Sequence, residues 1–249
     1  MRETLLYGHE EIKKAINEIC VNSKAYSIGR VRPSNYIIHL DRGNGRTTLA
    51  RYITEKFYKH SIIKFSSKDL FLEIDFDGTL KQLQESFGYI SLAACYANSY
   101  EGVLFFGIDS LGDYIHETQV ELFLDNIAKV SETATLIFYV PENPSRSISQ
   151  LIDKIRDVLK DTVLIEKSVY TATELTLIVE SMLEKRGIEI DQKAQFHEQL
   201  VNLIAHMELK TIDDVKELSK RIILLTDYSS LISRVGSSQL RKMRHDVLS

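Results

Sequence analysis

Residues 36–59 read YIIHLDRGNGRTTLARYITEKFYK and predict a strand, a loop with two glycines and a helix in succession. The run 36–40 is short and mostly apolar, as is typical of a buried strand. Helical spacing then relates four apolar residues: Leu49, Ala50, Ile53 and Phe57. Backbone N–H groups at the start of a helix can surround a phosphate when a glycine loop precedes them. This stretch therefore predicts a phosphate-binding loop.

Six consecutive residues are the candidates for contacting the phosphate: Gly43, Asn44, Gly45, Arg46, Thr47 and Thr48. The pattern departs from the usual phosphate loop because Leu40 stands at the first glycine position and Arg46 at the lysine position. Arginine keeps the positive charge, but its planar fork does not reproduce the compact ammonium group of lysine. Thr47 offers the hydroxyl group that a Mg²⁺ ion would need. An ordinary strand-to-helix turn is the alternative, and the context favours the phosphate loop.

Composition and charge exclude several classes of function. The chain has 249 residues, of which 44% are hydrophobic, enough for a real core in one large domain or two small ones. Its formal net charge of −4 provides no overall basic field for nucleic acid or an anionic membrane. No apolar run reaches the length of a membrane span, and the first residues lack a signal-peptide pattern. We therefore expect a cytoplasmic protein without a membrane partner.

Short apolar runs at 61–65, 102–108, 135–140 and 162–166 predict four further strands that alternate with helical patterns. The alternation indicates an α/β fold with a parallel five-stranded sheet and helices on both faces. Segment 71–78 is predicted to be a loop. From Thr171 the pattern is helical only, with a candidate capping box formed by Thr171 and Glu174 and with Gly187 ending that helix.

The order of several segments along the chain is similar to the order of motifs in a known protein family. These segments are Leu6-Tyr-Gly-His-Glu-Glu-Ile-Lys-Lys-Ala, 35–51, Ser66-Ser-Lys-Asp-Leu, Gly78-Thr79, Gly102-Val-Leu-Phe-Phe, and Tyr170-Thr-Ala-Thr-Glu-Leu with Lys185-Arg-Gly. This order resembles an AAA+ ATPase module. The most similar branch is the one that contains red-type rubisco activase and stage V sporulation protein K. The resemblance covers most of the chain up to about residue 225.

The resemblance implies a domain division and a cofactor. Residues 1–34 would form an N-terminal helix and loop, and residues 35–168 an AAA+-like α/β nucleotide-binding domain. Residues 169–226 would form a small helical lid domain, and residues 227–249 a C-terminal tail. The implied cofactor is ATP or ADP with magnesium.

The resemblance also implies roles for single residues. Asp109 ends the third predicted strand and would hold Mg²⁺ together with Thr47. Taken alone, a strand-end carboxylate that caps a turn is an equally good interpretation of Asp109. Asn143 is the candidate for contacting the γ-phosphate. Ser110 stands where a catalytic Glu is usual and lacks comparable basicity. Asp213 stands near the position of the lid arginine, and its charge would repel a triphosphate.

These departures predict a subunit with eroded catalytic motifs and no assigned catalytic residue. Such a subunit would bind adenine nucleotide weakly or structurally, and would act by assembling with itself or with an active AAA+ partner. One alternative is an active ATP-driven remodeller of a protein partner, in which Arg46 and another acid, Asp113 or Glu117, take over the missing roles. A second alternative is a DNA-associated regulator, and its only support in the sequence is the basic tail segment Arg241–Arg244.

Overall fold

The computed structural model describes residues 6–24, 33–63, 72–75, 103–108, 117–166, 170–224, 234–235 and 240. The chain divides into two compact units, Met1–Lys167 and Ser168–Ser249. The first unit contains α1 (Glu10–Val21), β1 (Asn35–His39), α2 (Arg46–Lys59), β2 (Leu72–Asp75), β3 (Val103–Gly107), α3 (Glu117–Ser131), β4 (Thr135–Val140), α4 (Arg146–Val158) and β5 (Thr162–Glu166). The second contains α5 (Ala172–Lys185), β6 (Glu189–Ile190), α6 (Lys193–His206), α7 (Ile212–Leu224) and β7 (Arg234–Val235). Within the described ranges, no helix is both long and apolar enough to cross a membrane.

The first unit is built on a parallel sheet with the strand order β2-β3-β4-β1-β5. In the register, Ile37 of β1 lies opposite Phe138 of β4 on one side and Leu164 of β5 on the other. Strands β3 and β4 are buried along their whole length, as expected for parallel strands covered on both faces. The prediction of an α/β fold with a parallel sheet is confirmed.

Helices cover both faces of this sheet because successive residues of a strand point to opposite sides. Ile37 belongs to a buried cluster that includes Phe123 of α3 and Ile148 of α4. The next residue, Ile38, belongs to a second buried cluster that includes Ile16 of α1 and Phe57 of α2. Helices α3 and α4 therefore pack on one face, and α1 and α2 pack on the other.

Four of the predicted strands are present, and the predicted strand at 61–65 is wrong in its described part. Residues 61–63 form a turn that ends helix α2. Ser61 is left-handed, with a φ of 56°, and the N–H of Ile62 donates to the carbonyl oxygen of Phe57 at 2.9 Å. This is the bonding of a Schellman cap, in which the residue after the left-handed one packs back on the helix. Ile62 thus closes the helix cap, and Ile63 lies in the second buried cluster. The fifth strand of the sheet is instead β2, inside the segment predicted to be a loop.

The second unit is mainly helical, and its first helix begins as the sequence predicts. The Thr171 hydroxyl accepts from the Glu174 N–H at 3.2 Å, and the Glu174 carboxylate accepts from the Thr171 N–H at 2.8 Å. The capping box is thus confirmed. Gly187 follows the end of that helix with a φ of 75°, a conformation that favours glycine. Residues Glu189–Ile190 pair in parallel with Arg234–Val235, which lie in the segment predicted to be a tail.

Candidate phosphate-binding site

The loop between β1 and α2 has a backbone that requires glycine at two positions. Gly43 and Gly45 have φ values of 84° and 82°, in the left-handed region. Gly45 is also the N-cap of α2, and no side chain makes a cap hydrogen bond there. A left-handed residue next to the start of a helix directs backbone N–H groups into a concave surface that suits an anion. The loop therefore has the backbone geometry of a phosphate cradle.

The side chain of Arg46 is folded back onto the protein. It is buried, with 7% of its surface exposed. Its Nε donates a hydrogen bond to the carbonyl oxygen of Leu40 at 2.7 Å, and its Cζ lies 5.7 Å from the centre of the Tyr139 ring. The guanidinium group thus bridges the two ends of the loop and rests on an aromatic face, an arrangement favourable for arginine.

Tyr139 anchors the start of α2 to the sheet. Its hydroxyl group donates to the carbonyl oxygen of Arg46 at 3.1 Å. Its ring is stacked against Phe105 of β3, with centroids 6.1 Å apart and planes at 13°. Its own carbonyl oxygen accepts from the N–H of Ile108 at 3.0 Å. Sequence reasoning missed Tyr139, since one tyrosine inside an apolar strand has no local signal that distinguishes it from an ordinary core residue.

The beginning of the loop is tied to the segment that follows β4. Three contacts join the two segments: Leu40 N–H to the Val140 carbonyl oxygen at 2.8 Å, His39 Nδ1 to the Pro141 carbonyl oxygen at 3.1 Å, and Glu142 N–H to Asp41 Oδ1 at 2.9 Å. Because a carbonyl oxygen only accepts, His39 Nδ1 carries the hydrogen in its contact. These bonds hold the glycine loop at the carboxyl edge of β1 and β4.

The fold of this chain is similar to solved structures, although its sequence matches no known family. No protein-family model and no curated protein matches the sequence. The Thermotoga maritima RuvB Holliday junction branch migration motor matches with a TM-score of 0.61 at 17% identity, over 96% of this chain and 70% of that one. C. elegans PCH-2 matches with a TM-score of 0.62 at 12% identity, over 99% of this chain and 71% of that one. The replication initiator DnaA bound to AMPPCP and single-stranded DNA matches at 0.55 and 13%, over 97% and 66%.

This chain has an AAA+ fold. At these identities the likeness concerns the fold alone.

In the AAA+ fold of this chain, the six candidate phosphate-binding residues, 43–48, form one loop and the first turn of α2. Thr47 is half-buried there and Thr48 is exposed. Asn143 is exposed and directly follows Glu142, whose N–H is bonded to Asp41. The structure thus places Asn143 in the segment that is tied to the glycine loop.

Of the two residues predicted to hold Mg²⁺, the structure describes Thr47. Asp109 lies outside the described residues, as do Ser110 and Asp113. In the described part of the chain, no group of three or more His, Cys, Asp or Glu side chains is arranged to hold a metal ion. The pairing of Thr47 with Asp109 around Mg²⁺ therefore stays a prediction.

The acid predicted at the lid-arginine position lies at the start of α7. Asp213 is exposed and forms an ion pair with Lys216. Its neighbour Asp214 accepts hydrogen bonds from the N–H groups of Thr211 and Lys210 at 2.9 and 3.1 Å. Burial opposes ionisation of Asp214, but the bonds from Thr211 and Lys210 outweigh it and lower the pKa of this carboxyl group. Asp214 is a helix cap.

Proposed function

We propose that this chain is an AAA+-like subunit with eroded catalytic motifs, of the branch that resembles red-type rubisco activase and stage V sporulation protein K. It binds ATP or ADP with magnesium weakly or structurally. It works in the cytoplasm by assembling with itself or with an active AAA+ partner, and it acts on a protein. The observation that carries the proposal is the position of Arg46.

In a phosphate loop, the cation at position 46 serves the terminal phosphates of the nucleotide. In this chain, Arg46 is buried, bonded to Leu40 and placed on the ring of Tyr139. A nucleotide that recruits the guanidinium group must first break these contacts. Phosphoryl transfer depends almost wholly on positioning and on charge stabilisation, so a cation withheld from the phosphates slows turnover strongly.

The remaining residues support binding more than they support hydrolysis. Gly43 and Gly45 shape the cradle, and Asn44, Thr47 and Thr48 line its continuation into α2. Thr47 and Asp109 would hold Mg²⁺, and Asn143 would approach the γ-phosphate. Ser110 replaces the carboxylate that polarises water in active relatives, and serine has no comparable basicity.

The loss of the catalytic carboxylate and the position of Arg46 also favour assembly with other subunits. A subunit that lacks its own general base and whose cation is held back can still take part in a shared site, provided that a neighbouring subunit supplies the missing groups. The domain roles follow the resemblance: residues 35–168 bind nucleotide, residues 169–226 act as the lid, and residues 1–34 and 227–249 flank them. Asp213 forms an ion pair with Lys216. At the position where the lid of an active AAA+ protein carries an arginine, this chain therefore has an acid.

The test combines calorimetry and phosphate release on the purified chain with Mg-ATP and Mg-ADP. We expect weak or structural binding without phosphate release above background. Arg46→Lys should bind Mg-ATP more tightly, because lysine is a compact charge that is not bonded to Leu40 through an Nε–H. The matched control is Arg51→Lys, the same substitution at an exposed position of the same helix, which should leave binding unchanged. Phosphate release at the rate of ordinary AAA+ ATPases would overturn the proposal.

A DNA-associated role is the second candidate, because two of the matching structures are a Holliday junction motor and an initiator bound to single-stranded DNA. The net charge of −4 opposes it. Duplex and single-stranded DNA should both fail to be retained at low salt. Retention that weakens steeply as salt rises would instead favour the DNA role.

An active remodeller is the remaining alternative, and it needs another acid near the nucleotide. Glu117 begins α3, whereas Asp113 lies outside the described residues. Turnover that disappears in Asp109→Ala would favour this alternative, and absence of turnover in the unmodified chain eliminates it.

A further inference from the structure

Two contacts of Arg46 are made with one residue of β4. Tyr139 touches Arg46 twice: its ring lies under the guanidinium group, and its hydroxyl group is bonded to the Arg46 carbonyl oxygen. With 1% of its surface exposed and its ring stacked on Phe105, Tyr139 has a fixed orientation. Its two contacts therefore fix both the backbone from which the Arg46 side chain starts and the surface on which that side chain ends.

The direction of the side chain also has a reason in these contacts. Nε of Arg46 points to the carbonyl oxygen of Leu40, six residues earlier and at the other end of the loop. Cation–π attraction is stronger when the cation is removed from water, and Arg46 is buried. The ring of Tyr139 thus stabilises the folded-back arrangement over one in which the guanidinium group reaches outward.

We propose that Tyr139 is a positioning residue that regulates the phosphate site by holding Arg46 away from the nucleotide. The effect on nucleotide rests on the proposed function; the effect on Arg46 does not. Tyr139 acts through Arg46 and lowers the affinity for a nucleoside triphosphate, because binding competes with the contacts to Tyr139 and Leu40.

The first measurement is the exchange of the Arg46 Nε–H hydrogen with water, followed by NMR on the full chain labelled with ¹⁵N-arginine. The Arg46→Lys variant lacks the signal and so identifies it. Tyr139→Phe loses the hydroxyl bond, and we expect exchange about fivefold faster. Tyr139→Leu loses the ring as well, and exchange should rise by about tenfold or more.

Phe138→Leu is the matched control. Phe138 is the preceding residue of the same strand, is equally buried, and packs in the cluster on the opposite face of the sheet. This variant should keep the exchange rate of the unmodified chain. Equal acceleration in Phe138→Leu and Tyr139→Leu would mean general loosening of the sheet and would overturn the inference.

The second measurement is the affinity for Mg-ATP in Tyr139→Phe, by calorimetry. We expect a Kd about fivefold lower than in the unmodified chain, matching the faster exchange. Faster exchange with unchanged affinity overturns the regulation of the site. If the Arg46 Nε–H hydrogen exchanges in Tyr139→Phe at the same rate as in the unmodified chain, the positioning role is overturned, even if Tyr139→Leu fails to fold. If no variant binds nucleotide but exchange accelerates as expected, the proposed nucleotide binding fails and the positioning of Arg46 by Tyr139 stands.

Discussion

The carboxylate of Asp41 accepts a hydrogen bond from the backbone N–H of Glu142 at 2.9 Å, and so joins the glycine loop to the segment between β4 and α4. The two residues are 101 positions apart in the sequence. Together with the bond between Leu40 and Val140, this contact attaches the candidate phosphate site to the segment that carries Asn143.

Removing the Asp41 carboxylate should lower the free energy of unfolding. We expect Asp41→Ala to cost about 1–2 kcal/mol, since a partly buried N–H loses its charged acceptor. Asp41→Asn keeps an oxygen that can accept the bond and should cost less. The measurement is urea denaturation followed by circular dichroism. Glu142→Ala is the control, because it leaves the backbone N–H of residue 142 in place; if it destabilises the chain as much as Asp41→Ala does, the bond is not the cause.

The two left-handed glycines allow a paired test of the phosphate loop. Gly45→Ala and Gly187→Ala both force alanine into a positive φ, and each should lower the free energy of unfolding by about 1–2 kcal/mol. At Gly187 an added Cβ would meet no heavy atom within 4 Å, so only the backbone contributes there. Calorimetry should show weaker Mg-ATP binding in Gly45→Ala alone. Equal loss of binding in both variants would contradict a local role for the loop.

The pH dependence of helix α7 should follow the lowered pKa of Asp214. The folded pKa lies below the unfolded value of about 3.9, so the charge of Asp214 stabilises the folded chain above that value. This stabilisation is lost as the pH falls through the folded pKa. The difference in unfolding free energy between the unmodified chain and Asp214→Asn should thus be present at neutral pH and shrink in strong acid. It should be small, because the group is mostly exposed.

Asp213→Asn is the matched control for that experiment, since Asp213 is in the same turn but pairs with Lys216. Its effect on stability should stay within about 0.5 kcal/mol at every pH. A difference for Asp214→Asn that grows toward low pH would contradict a lowered pKa of Asp214 in the folded chain. Urea denaturation at a series of pH values measures both variants.

A buried acid in the helical unit depends on a histidine. The Glu180 side chain is 6% exposed, and its Oε1 lies 2.9 Å from Nδ1 of His197. His197→Ala removes this partner and should lower the free energy of unfolding by about 1–3 kcal/mol. Glu180→Gln, which can still accept from His197, should cost less. The control is His206→Ala, at an exposed position in the same helix; an equal loss in that variant would show that the pair is not responsible.

Local patterns were sufficient to predict most of the sheet. The apolar runs that became β1, β3, β4 and β5 have a length and composition that are typical of strands. The same criterion failed at residues 61–63, since Ile62 closes the α2 cap and Ile63 packs in a buried cluster without being part of a strand. It also failed at β2, whose sequence Leu-Glu-Ile-Asp alternates with acids and pairs, in the described sheet, with β3 alone.

The candidate site divides in the same way. The glycines of the site could be predicted from the sequence, because the φ preference of a residue is local. The capping residues of α5, outside the site, could be predicted for the same reason, since a helix cap involves neighbours in the sequence. Tyr139 could not, because nothing in its strand distinguishes a tyrosine that holds an arginine from one that fills the core.

By itself, then, the sequence determined the α/β pattern, the glycine loop and the start of the helical unit, all of which depend on interactions within a few residues. Only the tertiary structure decided where Arg46 lies. Its position is set by a ring 93 residues away in the chain, brought beneath it by the parallel pairing of β1 with β4. Such a contact depends on the register of two strands and on the face to which each side chain points, and no local pattern specifies both.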